Sequence, residues 1–295
     1  MNRRRILLGG ASALGLAACG ALPQKPVAGV TRVARKPRLA LALGGGAARG
    51  FAHIGVIKAL ETNGIVPDFI VGTSAGAVVG ALYAAGHGPF ELQKLAIQLD
   101  ETAVTDWSFF ERGFIKGEAL ERFINGNVGN RPIEGLRRRF AAVATDLQSG
   151  EPIIFQRGNT GTAVRASAAI PGVFPPVAIN GREYVDGGLV APIPAREARS
   201  LGADLVVAVD ISGRPSGKRN QGTVDLVLDT IAIMGGALGK LELAAADVVI
   251  QPDLRGLPAT NFQQRHAAIL EGEKVGFAAV ARVREAIAAW ERKNG

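Results

Sequence analysis

The feature that most constrains the fold is a strand-like apolar segment that runs into a glycine-rich turn and then into a helix-like stretch, and it occurs twice. Residues 38–43 lead into the glycine turn 44–50, and an amphipathic stretch follows over 51–63. Residues 69–71 lead into a second glycine turn and then into a helix of small residues that ends near Ala85. Strand, turn and helix in this order form the βα unit of a parallel sheet. The sequence therefore predicts an α/β fold.

The rest of the chain continues this alternation. Further strands are predicted at 140–145, 152–155, 177–179, 183–185, 204–209 and 247–250. Further helices are predicted at 89–100, 117–125, 160–169, 196–201 and 265–290, and one more follows the loop at Asn220 and ends at about residue 245. Asn180-Gly181 favours a tight hairpin turn because both residues tolerate positive φ, and this hairpin aims Asp186 from the end of a strand. The pattern predicts a three-layer α/β/α sandwich with a mostly parallel central sheet.

The first residues have the pattern of an export signal. Arg3, Arg4 and Arg5 precede an apolar run over 6–18 that is too short to span a bilayer. The run ends in Leu16-Ala17-Ala18-Cys19, which resembles the lipobox of bacterial lipoproteins and predicts cleavage after residue 18 and lipidation of Cys19. The alternative is an ordinary signal peptide with a chance cysteine. The arginine run leaves Sec and twin-arginine export equally open.

The excess of positive charge lies in the first 38 residues. An apolar fraction of 47% with 20% charged residues is typical of a globular chain, and the net charge is +8. Without the eight Lys and Arg residues up to Arg38, 26 basic residues balance 26 acidic ones. The neutral body argues against nucleic acid as a partner. Residues 19–37 are predicted to form a basic tether that either lies on anionic lipid head groups or is simply solvated.

The two glycine turns carry the chemistry. Gly72-x-Ser74-x-Gly76 between a strand and a helix predicts a nucleophile elbow that presents the Ser74 hydroxyl. The turn at 44–50 offers successive backbone N–H groups that suit a phosphate or an oxyanion. A dinucleotide-binding glycine pattern that starts at Gly44 has Arg49 in place of its third glycine, and one that starts at Gly45 has Ala47 in place of its second. No P-loop lysine follows the turn. An oxyanion loop beside a serine elbow is therefore the preferred interpretation.

Asp186 is the predicted proton acceptor for Ser74. The order Ser74, Asp186, His266 also fits a hydrolase triad, which is the main alternative mechanism. His266 opens a predicted surface helix, His53 fits a structural role, and His87 falls in a loop. A direct Ser-Asp pair is therefore preferred.

Four blocks in this order resemble the motifs of the patatin-like phospholipases. They are the oxyanion loop Gly44-Gly45-Gly46-Ala47-Ala48-Arg49-Gly50, the elbow Gly72-Thr73-Ser74-Ala75-Gly76, the proline block Ala166-Ser167-Ala168-Ala169-Ile170-Pro171-Gly172 and the aspartate motif Asp186-Gly187-Gly188. The resemblance covers 38–212 and implies a three-layer α/β/α fold, a Ser-Asp dyad without histidine, metal or cofactor, and hydrolysis of acyl esters. Ala47 replaces a family glycine but keeps its N–H. Residues 213–295 are expected to complete the same domain.

Other residues in these blocks have more than one interpretation. The N–H groups of Gly45, Gly46 and Ala47, with Ala75 as a further candidate, are expected to bind the oxyanion. Arg49 either steadies the loop, which we favour, or meets an anionic head group. Asp146 is interpreted as a turn-forming aspartate. The aromatic segment 107–114 suits either the core or a lip at an acyl pocket.

Together these features predict a lipid-anchored serine acyl hydrolase acting on membrane phospholipids or lysophospholipids. Gly20 follows Cys19, which by resemblance to lipoprotein sorting favours the outer membrane if the source is Gram-negative. The competing class is a noncatalytic lipid-binding or envelope scaffold protein that keeps the fold for packing alone.

Overall fold

A central sheet of eight strands organises the molecule. The computed structural model describes residues 35–98, 117–212 and 223–294. The strands are β1 (Leu39–Leu43), β2 (Phe69–Thr73), β3 (Arg139–Asp146), β4 (Pro152–Phe155), β5 (Val177–Ile179), β6 (Arg182–Asp186), β7 (Leu205–Val209) and β8 (Val248–Ile250). Their order is β5-β6-β3-β2-β1-β7-β8, with β4 paired to β3. Strands β1, β2, β3, β7 and β8 pair in parallel, whereas β4, β5 and β6 pair antiparallel with their neighbours.

Helices cover the sheet. They are α1 (Phe51–Thr62), α2 (Ala75–Ala85), α3 (Pro89–Gln98), α4 (Glu118–Asn127), α5 (Thr160–Ser167), α6 (Ala195–Ser200), α7 (Thr223–Leu243) and α8 (Arg265–Asn294). Every residue of β1, β2 and β7 is buried, as expected for parallel strands covered on both faces. The predicted sandwich with a mostly parallel sheet is confirmed.

The pairing register brings the ends of β2 and β6 together. Val143 of β3 is the partner of Thr73, and the next residue, Ala144, is the partner of Asp186. Ser74 follows Thr73 directly, so β3 places the serine and the aspartate side by side. At the other end of β6, Asn180 (φ 52°) and Gly181 (φ 80°) form the predicted positive-φ turn.

Helix α8 packs closely on α1 through glycines. A Cβ on Gly55 of α1 would overlap the Ile269 carbonyl oxygen, and a Cβ on Gly272 of α8 would overlap the Ala52 carbonyl oxygen. A Cβ on Gly276 would lie 2.7 Å from Ala59 Cβ. Only glycine permits this backbone approach. The contact fixes α1, whose first turn follows the oxyanion loop.

Several sequence predictions fall outside the described residues, among them most of the basic tether (19–34). The others concern the signal segment 1–18, the lipidation site Cys19 and the aromatic segment 107–114. None of the described helices is both long and apolar enough to cross a membrane.

Candidate active site

Ser74 lies at the sharp turn between β2 and α2. Its backbone has φ 53° and ψ −120°, a conformation that non-glycine residues seldom adopt, and its side chain is buried. A Cβ on Gly72 would overlap the Gly76 carbonyl oxygen, and a Cβ on Gly76 would overlap that of Leu43. The flanking glycines therefore allow the close packing that this turn requires.

The Ser74 hydroxyl donates a hydrogen bond to Asp186. The distance from Ser74 Oγ to Asp186 Oδ2 is 2.7 Å, and both side chains are buried. Asp186 Oδ1 accepts a 2.7 Å hydrogen bond from the Gly188 N–H, and the Asp186 carbonyl accepts one from Thr145 Oγ1 at 2.8 Å. A Cβ on Gly187 would overlap the Val143 carbonyl oxygen. The structure thus brings together the predicted nucleophile and proton acceptor and fixes the aspartate from three directions.

Burial raises the pKa of Asp186 from 3.8 to about 6, although the hydrogen bonds from Ser74 and Gly188 act in the opposite direction. A carboxylate with a pKa near neutrality is a stronger base than a solvated aspartate and is still ionised at pH 7. Its protonation state suits acceptance of the Ser74 proton.

We expect ester hydrolysis to follow the ionisation of Asp186. Below a pKa of about 6 the acceptor oxygen carries a proton, so kcat/KM should fall about tenfold per pH unit, and it should reach a plateau above pH 7. A pH profile with a soluble ester measures this. A profile with no ionisation between pH 5 and 7 in the stable range of the protein would contradict the assignment.

The glycine loop offers fewer free N–H groups than the sequence suggested. The Gly44 N–H donates to the Val209 carbonyl at 3.1 Å, and the Gly45 N–H donates to the Pro192 carbonyl at 2.9 Å. The prediction that Gly45 supplies an oxyanion donor is therefore wrong in this conformation. Gly45 instead allows close approach, because a Cβ there would lie 3.3 Å from Ser74 Cβ.

Gly46 and Ala47 retain free N–H groups, since neither has a hydrogen-bond acceptor among the described residues. Ala47 has φ 49°, and a Cβ on Gly46 would lie 2.8 Å from Ile211 Cδ1. Behind them, Gly50 packs against the elbow, where its Cβ would lie 2.6 Å from Ala75 Cβ. The two N–H groups are the candidate oxyanion donors of this loop.

None of the three histidines bonds to Ser74 or Asp186 in the described part of the chain. His53 is buried in α1, its Nε2 lies 2.8 Å from the Gly44 carbonyl, and burial lowers its pKa to about 4, so the ring is neutral. His266 is exposed on the first turn of α8. His87 Nε2 lies 2.8 Å from the Asn127 carbonyl. The geometry favours the direct Ser-Asp pair over the triad.

Ser167 was not singled out from the sequence, yet its side chain fixes the backbone of the nucleophile turn at Ser74. Its Oγ accepts a 2.9 Å hydrogen bond from the Ser74 N–H and donates one to the Val143 carbonyl at 2.5 Å, and it is fully buried. It lies in the Ala166–Gly172 block, and the resemblance of this block to a family motif was the only signal in the sequence. Ser167 is a positioning residue that acts through the Ser74 backbone.

Ser167→Ala is expected to lower kcat roughly 10- to 100-fold, because the strained Ser74 backbone loses its tie to β3. It also removes the partner of the buried Ser74 N–H, at about 1–3 kcal/mol. The checks are kcat with a soluble ester and the Tm. The control is Ser200→Ala, which removes a hydroxyl that donates to Glu197 in its own helix. Equal kcat values for the two variants would contradict the role.

Arg49 and Asp146 have structural contacts. Arg49 Nε donates to the Leu257 carbonyl at 2.9 Å, which ties the glycine loop to the segment before α8. Asp146 accepts from the N–H groups of Gln148 and Ser149 and pairs with Arg182, which lowers its pKa to about 2. These contacts agree with loop and turn roles for both residues.

The described residues contain no cluster of three or more His, Cys, Asp or Glu side chains suited to a metal ion.

The family model for patatin-like phospholipases matches residues 41–199, which include Ser74, Ser167 and Asp186. The chain belongs to the patatin-like phospholipase family. The segment that matches the family model begins in β1 and ends in α6.

Curated relatives extend beyond this chain. An NTE family protein of Mycobacterium tuberculosis (strain H37Rv) is 42% identical over 195 residues, which are 65% of this chain and 54% of the relative. Patatin-like phospholipase domain-containing protein 6 of Mus musculus is 34% identical over 193 residues, or 63% of this chain and 14% of that protein. The patatin-like chain thus spans about half the length of the first and a small part of the second.

Solved structures agree on the fold. VipD from Legionella pneumophila superposes with a TM-score of 0.53 at 16% identity, covering 84% of this chain and 67% of that one. The ExoU-SpcU complex of Pseudomonas aeruginosa gives a TM-score of 0.52 at 16% identity, covering 86% and 52%. At this identity the similarity concerns the fold alone.

Proposed function

We propose that this patatin-like protein is a serine acyl hydrolase that cleaves lipid acyl esters with Ser74 as nucleophile and Asp186 as proton acceptor. The observation that supports this most directly is the buried 2.7 Å hydrogen bond from Ser74 Oγ to Asp186 Oδ2. The N–H groups of Gly46 and Ala47, which meet no acceptor in the described part of the chain, and membership of a phospholipase family add to it.

The reaction follows from these groups. Ser74 Oγ attacks the ester carbonyl carbon while its proton passes to Asp186 Oδ2, and the carbonyl oxygen becomes an oxyanion stabilised by the loop N–H groups. The tetrahedral intermediate collapses, the alcohol leaves with the proton from Asp186, and an acyl-Ser74 ester remains. Water then attacks that ester, Asp186 takes the proton from the water and returns it to Ser74, and the free acid leaves.

Phospholipids or lysophospholipids are the proposed substrates. Support comes from the family description and from the name of the mouse relative, patatin-like phospholipase domain-containing protein 6. Small residues surround the pair: Ala75 follows Ser74, Gly45 closely approaches Ser74, and the Ala169 carbonyl accepts from the Asp186 N–H. These surroundings agree with an uncharged acyl ester at the reacting centre.

Labelling with a fluorophosphonate ester tests the proposal, because the probe reacts covalently with an activated serine. The native protein should be labelled and Ser74→Ala should not. The competing class, a noncatalytic lipid-binding or envelope scaffold protein, requires that the native protein stay unlabelled and release no fatty acid from lysophospholipid. An intact serine, aspartate and oxyanion loop weigh against that class.

We further propose that Cys19 is lipidated and anchors the protein in a bacterial cell envelope, at the outer membrane in a Gram-negative source. The lipobox-like sequence before Cys19 and the basic residues of 19–37 support this. Two or more acyl chains anchor stably where one exchanges. Native protein should partition into detergent and Cys19→Ser should not. If the mature protein is unlipidated and its signal is cleaved elsewhere than before Cys19, the lipid anchor is refuted and the hydrolase proposal is unaffected.

A further inference from the structure

Helix α7 exposes an apolar face along its length. Its large apolar residues on this side are Leu226 (51% exposed), Ile233 (61%), Met234 (47%) and Leu241 (64%). Thr230 and Ala237 fill the same side, and the Thr230 hydroxyl donates to the Leu226 carbonyl within the helix. These positions are three or four residues apart, so they form one stripe. We call it the α7 outer face.

The opposite side of α7 packs beside the catalytic aspartate. Gly235 and Gly239 are buried, and Cβ atoms there would lie 3.7 Å from Pro192 Cβ and 3.3 Å from Ile193 Cδ1. The helix also packs against the turn Gly187–Leu189, which directly follows Asp186. The inner side of α7 therefore packs against the body of the protein, next to the loop that follows Asp186.

Near its other end, α7 approaches the proline block. A Cβ on Gly172 would lie 3.8 Å from Val227 Cγ2. That block also contains Ser167, which bonds to the Ser74 N–H. Two segments that shape the serine site thus contact one helix, and the same helix carries the apolar outer face.

The charges around the outer face are suited to an anionic surface. Among the described side chains of α7, Asp229 is half-buried and acts on Arg49, and Glu242 is buried. Lys240 is exposed, and Arg196, whose side chain is 64% exposed, lies within 3.6 Å of Glu242 near the same end. The exposed charges at this end are therefore cationic.

We propose that the α7 outer face docks on an anionic phospholipid bilayer and places the Ser74 site against it. The proposal rests on the lipid hydrolase function proposed above. An apolar stripe with cations beside it, and without exposed acid among the described residues of its helix, is the pattern of a helix that lies in the interface of a membrane. A helix in this position brings the loop of Asp186 to the surface that holds the substrate.

Vesicle binding tests the proposal with the full chain. Ser74→Ala and Cys19→Ser together form the parent, so that neither lipid cleavage nor an N-terminal anchor contributes. Ile233→Gln/Leu241→Gln is compared with Leu270→Gln/Phe277→Gln on α8, where the parent residues are 66% and 48% exposed. The probe is a vesicle of phosphatidylcholine containing phosphatidylglycerol. The α7 pair should lower the partition coefficient at least about 10-fold, and the α8 pair should change it less than about twofold.

Three results would overturn the proposal. The α7 pair could bind like its parent, or the α8 pair could lose as much. The parent could also be a dimer that Ile233→Gln/Leu241→Gln converts to a monomer with unchanged vesicle binding, which would make the face an interface between copies of this chain. All four replaced side chains are exposed, so the fold should be retained, and thermal unfolding checks this.

A second measurement separates this proposal from the proposed function. For this measurement the reference is the Cys19→Ser protein, which keeps Ser74. Ile233→Gln/Leu241→Gln in that background should hydrolyse a water-soluble short-chain ester at the rate of the reference but release fatty acid from vesicles at least about 10-fold more slowly. Absence of soluble-ester hydrolysis in the Cys19→Ser reference would refute the proposed hydrolase function, while the vesicle-binding comparison would still decide the docking face. Equal losses on both substrates would refute the docking role.

Discussion

Asp186→Asn should reduce kcat/KM for an acyl ester by about 10²- to 10⁴-fold, the usual loss for a positioned proton acceptor. The amide cannot take the Ser74 proton, yet its oxygen can still accept from the Gly188 N–H and its NH₂ can face Ser74 Oγ, so the fold should persist. Steady-state hydrolysis of a soluble ester measures the loss.

The same variant should be more stable than the native protein at pH 8. Burial raises the pKa of Asp186 from 3.8 to about 6, so keeping it ionised in the folded state costs about 3 kcal/mol. This penalty is absent below about pH 4, grows as the pH rises from 4 to 6 and is constant above that range, so the Tm advantage of Asp186→Asn should shrink as the pH falls below 6. Thermal unfolding at pH 5 and pH 8 checks the sign.

His266→Ala is the control for the mechanism. This histidine is exposed on α8 and has no bond to the pair, so activity should stay near the native level. If His266→Ala lost as much activity as Ser74→Ala, the Ser-His-Asp triad would replace the dyad.

A Tm for Asp186→Asn far below the native value at both pH values would contradict the assigned burial penalty.

Gly272→Ala is expected to destabilise the protein by about 3 kcal/mol, because the added methyl overlaps the Ala52 carbonyl and forces α1 and α8 apart. A loss of this size lowers the Tm by roughly 6–12 °C. Activity should fall as well, since α1 carries His53, which bonds to the Gly44 carbonyl of the oxyanion loop. Thermal unfolding and kcat are the measurements.

Gly236→Ala on α7 is the matched control. It is also a glycine inside a helix, but a Cβ there meets nothing within 4 Å. Alanine should therefore stabilise this helix by about 0.5–1 kcal/mol. If the two variants had similar Tm values, the close approach of α1 and α8 would not be the cause of the effect.

The sequence predicted the parts of the site that depend on local backbone geometry. The glycines around Ser74 and the Asn180-Gly181 turn impose their conformations within a few residues, so the elbow and the hairpin that precedes Asp186 were recognisable. The strand and helix positions followed in the same way from hydrophobic periodicity. The pairing of Ser74 with Asp186 was inferred from the poor placement of the three histidines and from the resemblance, whereas the side-by-side position of the two residues depends on their register with β3.

The remaining features depend on partners distant in the sequence. Whether the Gly45 N–H is free depends on the Pro192 carbonyl, and no local pattern indicates that pairing. Ser167 matters only because β3 and the elbow meet at its hydroxyl. The role of the C-terminal helix likewise became visible only from its contact with α1.

The glycine contact between α1 and α8 joins one of the first helices of the chain to the last one. A ribosome completes α1 early, but the surface of α1 at Gly55 stays uncovered until α8 has been synthesised. Because α1 adjoins the oxyanion loop, nascent chains that lack α8 should carry Ser74 without a fully supported site. The Ser74 site of the proposed hydrolase would therefore be completed only at the end of synthesis.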